Sequence, residues 1–284
     1  METRRITISD IAQRKGQDPL VAITAYDYLT AKIVDSIVDI VLVGDSLGMV
    51  VQGHTDTLPV TLDHMVYHTT NVARALSRAH LVADMPFLTY QSDTPTAVRS
   101  AGRLLAEGRA QAVKLEGGTA MASTISKLVD VGIPVMGHIG LTPQSVNAMG
   151  GFRVQGRTAK ARHSILEDAM AVEDAGAYSI VLEGIPTELA QEITQRLTIP
   201  TIGIGAGSSC DGQILVMPDM LGLNHDFKPK FVKHFADLQT TITNAVTHYA
   251  QEVTSRAFPA AEHTFYAKAD PAKTGPVEVP RLDN

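Results

Sequence analysis

Short apolar runs recur along the chain, and each is long enough for a strand that is buried on both faces. Amphipathic stretches with helical spacing separate most of these runs. The pattern predicts eight strands, at residues 20–26, 40–44, 81–83, 112–115, 134–138, 178–182, 199–204 and 214–217. It predicts helices at residues 28–38, 62–79, 94–107, 119–131, 160–175 and 187–197. Such alternation is typical of βαβ units and a parallel sheet.

The number of units favours a (β/α)₈ TIM barrel, an α/β fold, over a doubly wound open sheet, which usually has fewer strands. The seventh unit differs from the others because "GIGAGSSCDGQ" leaves room only for a short loop before the eighth strand. Its glycines could also indicate nucleotide binding, but the spacing lacks the second half of the dinucleotide-binding fingerprint. We therefore interpret the segment as a tight turn.

After the eighth strand, residues 229–258 predict a long helix that packs on the barrel or on a neighbouring subunit. Its apolar face carries Phe231, Phe235, Leu238, Ile242, Ala245 and Tyr249. The end of the chain is rich in proline and charge and has no apolar periodicity. We predict one barrel domain over residues 1–266, including this helix, and a flexible tail at 267–284.

Composition and charge restrict the possible partners. The 284 residues are 44% hydrophobic, which is enough for one large core. A net charge of −6 with scattered Lys and Arg argues against nucleic acid or an anionic membrane as partner. Cys210 is the single cysteine, and the start of the chain has no apolar run like a secretory signal. Because no stretch resembles a membrane helix either, we expect a cytoplasmic protein.

Acidic residues stand where four of the predicted strands end: Asp45, Asp84, Glu116 and Glu183. In a barrel the carboxyl ends of all strands open into one mouth, where barrel enzymes carry out their chemistry. A single acid after a strand is typical of a helix cap, whereas four acids at matching positions indicate a common site. His138 would line the same rim, either as a hydrogen-bonding partner or as a structural histidine.

The crowding of these acids calls for positive charge, from a metal ion, a lysine or both. Lys114 precedes Glu116 by two residues and therefore shares its strand face. Oxygen ligands without cysteine favour a hard ion such as Mg²⁺ over zinc. Such an ion could bind an α-keto acid and stabilise the enolate formed by its deprotonation. Glu183, the last acid along the chain, is the candidate base.

Long segments of the chain resemble the ketopantoate hydroxymethyltransferase family. They are "TAYDYLTAKI", "VLVGDSLGMVVQGHTDTLPVT", "LVADMPF", "VKLEGG", "GHIGLTPQSVNAMGGFRVQGR" and "IPTIGIGAGSSCDGQILVMPD". The resemblance implies a TIM barrel of the pyruvate and phosphoenolpyruvate superfamily type and a homo-oligomer, commonly a decamer. The implied reaction passes a hydroxymethyl group from 5,10-methylenetetrahydrofolate to 3-methyl-2-oxobutanoate, giving 2-dehydropantoate in the first committed step of pantothenate synthesis.

The resemblance also implies a role for particular residues. The Mg²⁺ ligands would be Asp45, Asp84 and, directly or through water, Glu116. The keto acid would contact Asp45, Ser46, Asp84 and Lys114. The proton acceptor would be Glu183.

Alternatives stay open for the role of one loop and for the function of the whole chain. The loop at 150–162, which contains Arg153, is either solvated or a lid that contacts the glutamate tail of the folate. A lyase or phosphonomutase of the same superfamily would share the acids but should use a different lid in place of "GHIGLTPQS". A catalytically silent barrel that binds the keto acid is the other alternative.

Overall fold

The eight strands pair in chain order into one closed parallel barrel, which confirms the TIM-barrel prediction. The computed structural model describes residues 4–224 and 229–267. Strands β1 to β8 are Leu20–Thr24, Ile40–Val43, His80–Asp84, Ala112–Glu116, Val135–Gly140, Ser179–Glu183, Thr201–Ile204 and Gly212–Leu215. Pairing of β8 with β1 closes the barrel. Each strand boundary lies close to the predicted one, because buried parallel strands read as continuous apolar runs.

Helices follow most of the strands and form the outer layer. Helices α1 to α11 are Ile8–Ala12, Tyr28–Val34, Leu47–Val50, Leu62–Ala75, Thr94–Ala106, Ala122–Asp130, Val146–Met149, Ala159–Asp174, Thr187–Arg196, Met217–Met220 and Leu238–Ser255. The sequence pattern does not predict α1, α3, α7 and α10, because elements this short carry no readable periodicity. Residues 205–211 join β7 to β8 as a loop, which confirms the prediction for the seventh unit.

Polar caps fix where the long helices begin. The Asp93 side chain accepts a hydrogen bond from the backbone of Thr96, and a proline stands in the first turn of α5. Thr158 caps α8 in the same way. These side chains satisfy backbone N–H groups that a helix start leaves without an intrahelical partner. The caps therefore set where the loops of the barrel mouth end.

The last helix begins later than the sequence pattern predicts. It starts at Leu238, whereas the prediction begins at residue 229. Phe231 instead lines the barrel mouth, and the backbone N–H of Phe235 donates to the carbonyl of Met220 at 2.8 Å. The prediction is therefore wrong for residues 229–237, because contacts with the barrel mouth override the helical spacing of their phenylalanines.

The chain divides into two compact units, Met1–Asp237 and Leu238–Asn284. The first contains the barrel, and the second contains α11, on which no residue is buried. A single barrel domain reaching residue 266 stays a prediction, and the predicted tail at 267–284 lies outside the described residues except for Ala267. Among the helices described, none combines the length and apolar character needed to span a bilayer.

The barrel interior is apolar at its base and polar at its mouth. Along β4, Ala112 belongs to the apolar cluster inside the barrel, whereas Val113 and Leu115 pack toward the helices. Because side chains alternate along a strand, Lys114 and Glu116 share the inward face of Ala112. Both are almost fully buried. The same alternation turns the terminal acids of neighbouring strands into the barrel.

The N-terminal segment closes the base of the barrel. Ile11 of α1 is fully buried within the inner apolar cluster, and Ile6 packs against the same cluster. Nearby, His80 Nδ1 lies 3.2 Å from the carbonyl oxygen of Ile6, and its Nε2 lies 3.1 Å from the Tyr178 hydroxyl. The base is therefore packed, and the carboxyl mouth is left as the end that can admit ligands.

Candidate active site

A cavity of about 690 Å³ opens at the carboxyl ends of the strands. Its lining includes every site residue predicted from the sequence, namely Asp45, Ser46, Asp84, Lys114, Glu116, His138 and Glu183. The structure thus brings residues from five consecutive strands or strand ends into one cup. The roles assigned to them stay predictions.

The register of the strands places Lys114 between Asp84 and His138. It pairs with Asp84 across β3 and β4, and Glu116 pairs with His138 across β4 and β5. The ammonium of Lys114 lies 3.0 Å from Asp84 Oδ1 and 3.0 Å from His138 Nδ1. The buried ammonium is thus shared between an acid on one side and an imidazole on the other.

Asp45 and Ser46 enter the cavity at the turn after β2. The backbone N–H of Asp45 donates to Asp84 Oδ2 at 3.0 Å, and the Ser46 hydroxyl lies 2.9 Å from the Tyr26 hydroxyl. A Cβ on Gly44 would stand 2.7 Å from Ser46 Oγ. Any other residue at position 44 would therefore require the Ser46 side chain to shift.

His138 is held as a neutral imidazole with one defined tautomer. Burial, and after it the charge of Lys114, lowers the pKa of His138 well below its usual range. An ammonium can only donate, so Nδ1 accepts from Lys114 and the ring proton sits on Nε2. That nitrogen lies 3.1 Å from Glu183 Oε2, although the angle falls short of a hydrogen bond. The imidazole therefore presents an N–H close to Glu183.

Glu183 ends β6 and is the most isolated acid of the cup. Burial raises its pKa to about 7, and the charge of Lys114 only partly opposes this effect. A carboxylate with such a pKa is far more basic than an exposed glutamate, yet it is substantially ionised near neutral pH. The geometry therefore supports Glu183 as a proton acceptor.

The remaining three acids crowd against one another. Burial and then the charge of Asp84 raise the pKa of Asp45 to about 7. Burial and then the charge of Asp45 raise the pKa of Glu116 well above its usual range. Burial by itself lowers the pKa of Lys114, but the negative charges of the nearby acids outweigh burial and raise this pKa above its usual range. One ammonium thus faces more negative charge than it can neutralise.

This charge excess fits a divalent cation beside Asp45 and Asp84. Asp84 Oδ1 is buried and makes no hydrogen bond, because its close contact with the ammonium of Lys114 is off the hydrogen-bonding direction. Among the described residues, no three His, Cys, Asp or Glu side chains form a ready-made metal cage. Mg²⁺ does not need one, since it usually takes one or two carboxylates and keeps several waters.

Sequence reasoning missed Gln144 and Tyr90. The backbone N–H of Gln144 donates to Glu116 Oε2 at 3.0 Å, and its side-chain amide donates to Asp45 Oδ2 at 2.8 Å. The Tyr90 hydroxyl accepts from the backbone N–H of Glu116 at 3.0 Å. Gln144 lies in "GHIGLTPQS", where a polar residue soon after a strand end was the available signal. Tyr90 had no such signal.

The outer part of the cavity has a different character. Phe152 and Val154 from the loop after β5, together with Phe231, give it apolar walls, and Arg153 supplies a positive charge. Asp219 of α10 also lines it, and burial raises the pKa of this carboxyl above its usual range. Neither Phe231 nor Asp219 is among the predicted site residues, and the sequence pattern predicts Phe231 on the apolar face of the last helix.

Comparison with known sequences relates the whole barrel to a group of transferases. A family model described as ketopantoate hydroxymethyltransferase matches residues 5–261. A 3-methyl-2-oxobutanoate hydroxymethyltransferase from Pelobacter propionicus is 56% identical to this chain over 264 residues. The match covers 92% of this chain and 98% of that protein.

Comparison with solved structures extends the likeness to the fold of more distant enzymes. A phosphonopyruvate hydrolase, solved in complex with oxalate and Mg²⁺, has a TM-score of 0.59 at 13% identity, covering 91% of this chain and 93% of that one. A 2,3-dimethylmalate lyase, described as a PEP mutase/isocitrate lyase superfamily member, has a TM-score of 0.55 at 18% identity, covering 89% and 99%. At such identities the likeness concerns the barrel fold alone.

Proposed function

The chain belongs to the ketopantoate hydroxymethyltransferase family, and from this premise we propose that it transfers a hydroxymethyl group from 5,10-methylenetetrahydrofolate to 3-methyl-2-oxobutanoate. The product would be 2-dehydropantoate, the first committed intermediate of pantothenate synthesis. The observation that carries the proposal is the placement of a basic, largely buried Glu183 in the same cup as Lys114 and the paired aspartates.

Lys114 and Ser46 would hold the keto acid. The Lys114 ammonium is buried and fixed between Asp84 and His138, so it can face a substrate oxygen without first losing a shell of water. Charge that develops on the keto oxygen is stabilised most by a cation already oriented toward it. The Ser46 hydroxyl, held by Tyr26, would offer a second contact.

Asp45 and Asp84 would hold Mg²⁺, with Glu116 close enough to act directly or through water. The bound ion would supply Lewis-acid polarisation of the keto group. Asp84 also accepts the backbone N–H of Asp45 at 3.0 Å, so the Asp84 carboxylate is fixed relative to the backbone of Asp45. The chain thereby keeps the acids together despite their mutual repulsion.

Glu183 would remove the proton from C3 of the keto acid. The proton moves to a carboxylate oxygen, and the buried position then favours the neutral acid. The N–H of His138 lies close to Oε2 and would become a hydrogen-bond donor to it after a small rotation of either side chain. The carbon that loses its proton would then bond to the methylene carbon of the co-substrate. The carbon–nitrogen bonds of that methylene group would break, tetrahydrofolate would leave, and water would supply the hydroxyl oxygen.

The folate co-substrate would occupy the outer part of the cavity. A volume of about 690 Å³ is within the range of cavities that enclose drug-sized ligands, far more than a five-carbon keto acid fills. Phe152 and Phe231 could pack against a flat ring, and Arg153 could meet a carboxylate of the glutamate tail. Asp219 could accept N–H groups of the pterin.

A homo-oligomer, a decamer by family resemblance, is also part of our proposal. Leu29 and Ile33 on α2 are 70% and 68% exposed, and Ile37 just beyond the helix is 68% exposed. An apolar stripe of this kind is suited to burial against a second copy. Sedimentation equilibrium tests this proposal, and a mass of one chain, 30.4 kDa, at micromolar concentration would contradict it.

Product formation with each component omitted in turn tests the proposed reaction. We expect 2-dehydropantoate only when both substrates are present, loss of product with EDTA, and recovery on addition of Mg²⁺. Binding of the keto acid without any product would favour the catalytically silent barrel instead. Cleavage of a carbon–carbon bond without folate would favour the lyase alternative.

A further inference from the structure

Gln144 is a buried amide that contacts the acids of the cup. It lies in a short 3₁₀ turn at 143–145 that follows β5, and only 5% of it is exposed. Its Nε2 donates to Asp45 Oδ2 at 2.8 Å and to the carbonyl oxygen of Met85 at 2.9 Å. Its Oε1 accepts from the Tyr90 hydroxyl at 2.7 Å and from Gln91 Nε2 at 3.0 Å. All four hydrogen-bonding positions of the amide are thus occupied.

These partners allow only one orientation of the amide. A flipped Gln144 would place its oxygen against a carboxylate and a carbonyl, which cannot donate, and its NH₂ against the NH₂ of Gln91. The Tyr90 hydroxyl accepts from the backbone N–H of Glu116, and of the two acceptors within reach of its proton, Gln144 Oε1 at 2.7 Å is closer than the Glu116 carbonyl oxygen at 3.2 Å. The contacts with Met85, Tyr90 and Gln91 therefore fix the amide N–H as the group that faces Asp45.

The backbone of the same residue holds a second acid. Its N–H donates to Glu116 Oε2 at 3.0 Å. Asp45 follows β2 and Glu116 ends β4, so one residue from the loop after β5 links acids that lie 71 positions apart, as their residue numbers show. Hydrogen bonds of this kind orient ligating carboxylates in metal proteins.

We propose that Gln144 is a positioning residue for the cation site, fixing the carboxylates of Asp45 and Glu116 in the geometry that receives the ion. This inference rests on the proposed function, since it takes Asp45 as a ligand of the Mg²⁺ that the reaction uses. A purely structural role, satisfying a buried loop, is the competing explanation. The two differ in whether loss of the amide changes metal affinity in protein that is still folded.

Gln144→Met tests the proposal because methionine has a similar length but cannot donate to Asp45. We expect Mn²⁺ affinity, measured by electron paramagnetic resonance of the free ion, to fall by about ten- to a hundred-fold, the usual effect of losing such a partner. The backbone contact to Glu116 should survive, so some affinity remains. Should Gln144→Met fail to fold, Gln144→Asn keeps an amide but withdraws it from Asp45, and the same loss is expected.

Gln111→Met is the matched control. Gln111 accepts from the backbone of Leu81 at 3.1 Å and donates to the carbonyl of Ile6 at 2.9 Å, far from the mouth of the barrel. The control should lower the thermal midpoint without changing Mn²⁺ affinity. Folded Gln144→Met with wild-type affinity would overturn the proposal, as would wild-type protein that binds no Mn²⁺. Wild-type protein that binds Mn²⁺ but forms no 2-dehydropantoate would overturn the proposed function and leave the role of Gln144 standing.

Discussion

At the scale of single residues, Lys114, His138 and Glu183 form a row across three strands of the barrel. Short contacts of 3.0 Å and 3.1 Å connect the ammonium to the imidazole and the imidazole to the carboxylate. The ammonium dictates which ring nitrogen of His138 carries the proton, and the imidazole then faces Glu183 with an N–H. The row lies between the crowded acids around Asp45 and the isolated Glu183, as the proposed division between cation binding and proton acceptance requires.

Glu183→Gln removes the proposed base and leaves the rest of the cup unchanged. We expect deuterium exchange at C3 of 3-methyl-2-oxobutanoate, followed by NMR in D₂O with Mg²⁺, to slow by about 10²- to 10⁴-fold. Keto acid binding should persist, because Lys114 and Ser46 remain. Glu188→Gln, an exposed acid in the first turn of α9, is the matched control and should exchange at the wild-type rate. Exchange at the wild-type rate in Glu183→Gln would show that Glu183 is not the base.

The raised pKa of Glu183 predicts a pH-dependent stability difference in metal-free protein. Between its ordinary value of 4.5 and about 7, the folded chain keeps a proton that the unfolded chain releases, so stability falls as pH rises through this window. Lowering the pH from about 7.5 to 5.5 should therefore raise the free energy of unfolding of wild type, relative to Glu183→Gln, by about 2 kcal/mol. Urea titrations at both pH values measure this difference, and parallel pH profiles would contradict it.

At the scale of elements, the alternation along each strand explains why the acids meet. In β3 and β4 the inward positions read His80, Val82, Asp84 and Ala112, Lys114, Glu116, so each strand places its acid at the mouth of the barrel. This pattern is local, and it could be predicted from the sequence. The contribution of Gln144 could not, because its side chain reaches Asp45 only through the folded course of the loop after β5.

The absence of a side chain at Gly140 allows the ends of β5 and β6 to lie close together at the site. Its φ of +94° disfavours any side chain, and a Cβ there would stand 2.3 Å from the carbonyl oxygen of Glu183. Gly132, with φ +85° and nothing near its Cβ position, is a matched control for the backbone conformation alone. Gly132→Ala should cost about 1–2 kcal/mol. Gly140→Ala should cost a further 1–3 kcal/mol or so by crowding, and equal losses in chemical denaturation would contradict this.

Two arginines of the loop after β5 allow the proposed position of the folate to be tested. Arg153 lines the cavity, whereas Arg157 of the same loop is exposed and does not. Arg153→Ala should raise the KM for polyglutamylated folate by about two- to five-fold, the effect of one exposed ion pair, with less effect on the monoglutamate. Arg157→Ala should leave both values unchanged. A KM for polyglutamylated folate that stays at the wild-type value in Arg153→Ala, or that rises by the same factor as for the monoglutamate, would contradict this contact.

At the scale of the whole molecule, the barrel itself creates the site. Asp45, Asp84, Glu116 and Glu183 are far apart in sequence, and closure of β8 on β1 is what turns their strand ends toward one mouth. The strand count and the alternation with helices were sufficient to predict this closure. They were insufficient for residues 229–237, where Phe231 enters the mouth instead of continuing a helix, because long-range contacts decide the conformation there.

A crystal structure with Mn²⁺ and 3-methyl-2-oxobutanoate bound would test directly whether Asp45 and Asp84 hold the cation while Glu183 faces the keto acid. We expect an anomalous peak beside the carboxylates of Asp45 and Asp84. We also expect the keto acid's oxygens within reach of Lys114 and its C3 facing Glu183. An ion or keto acid bound away from these acids, or a C3 turned away from Glu183, would contradict this arrangement.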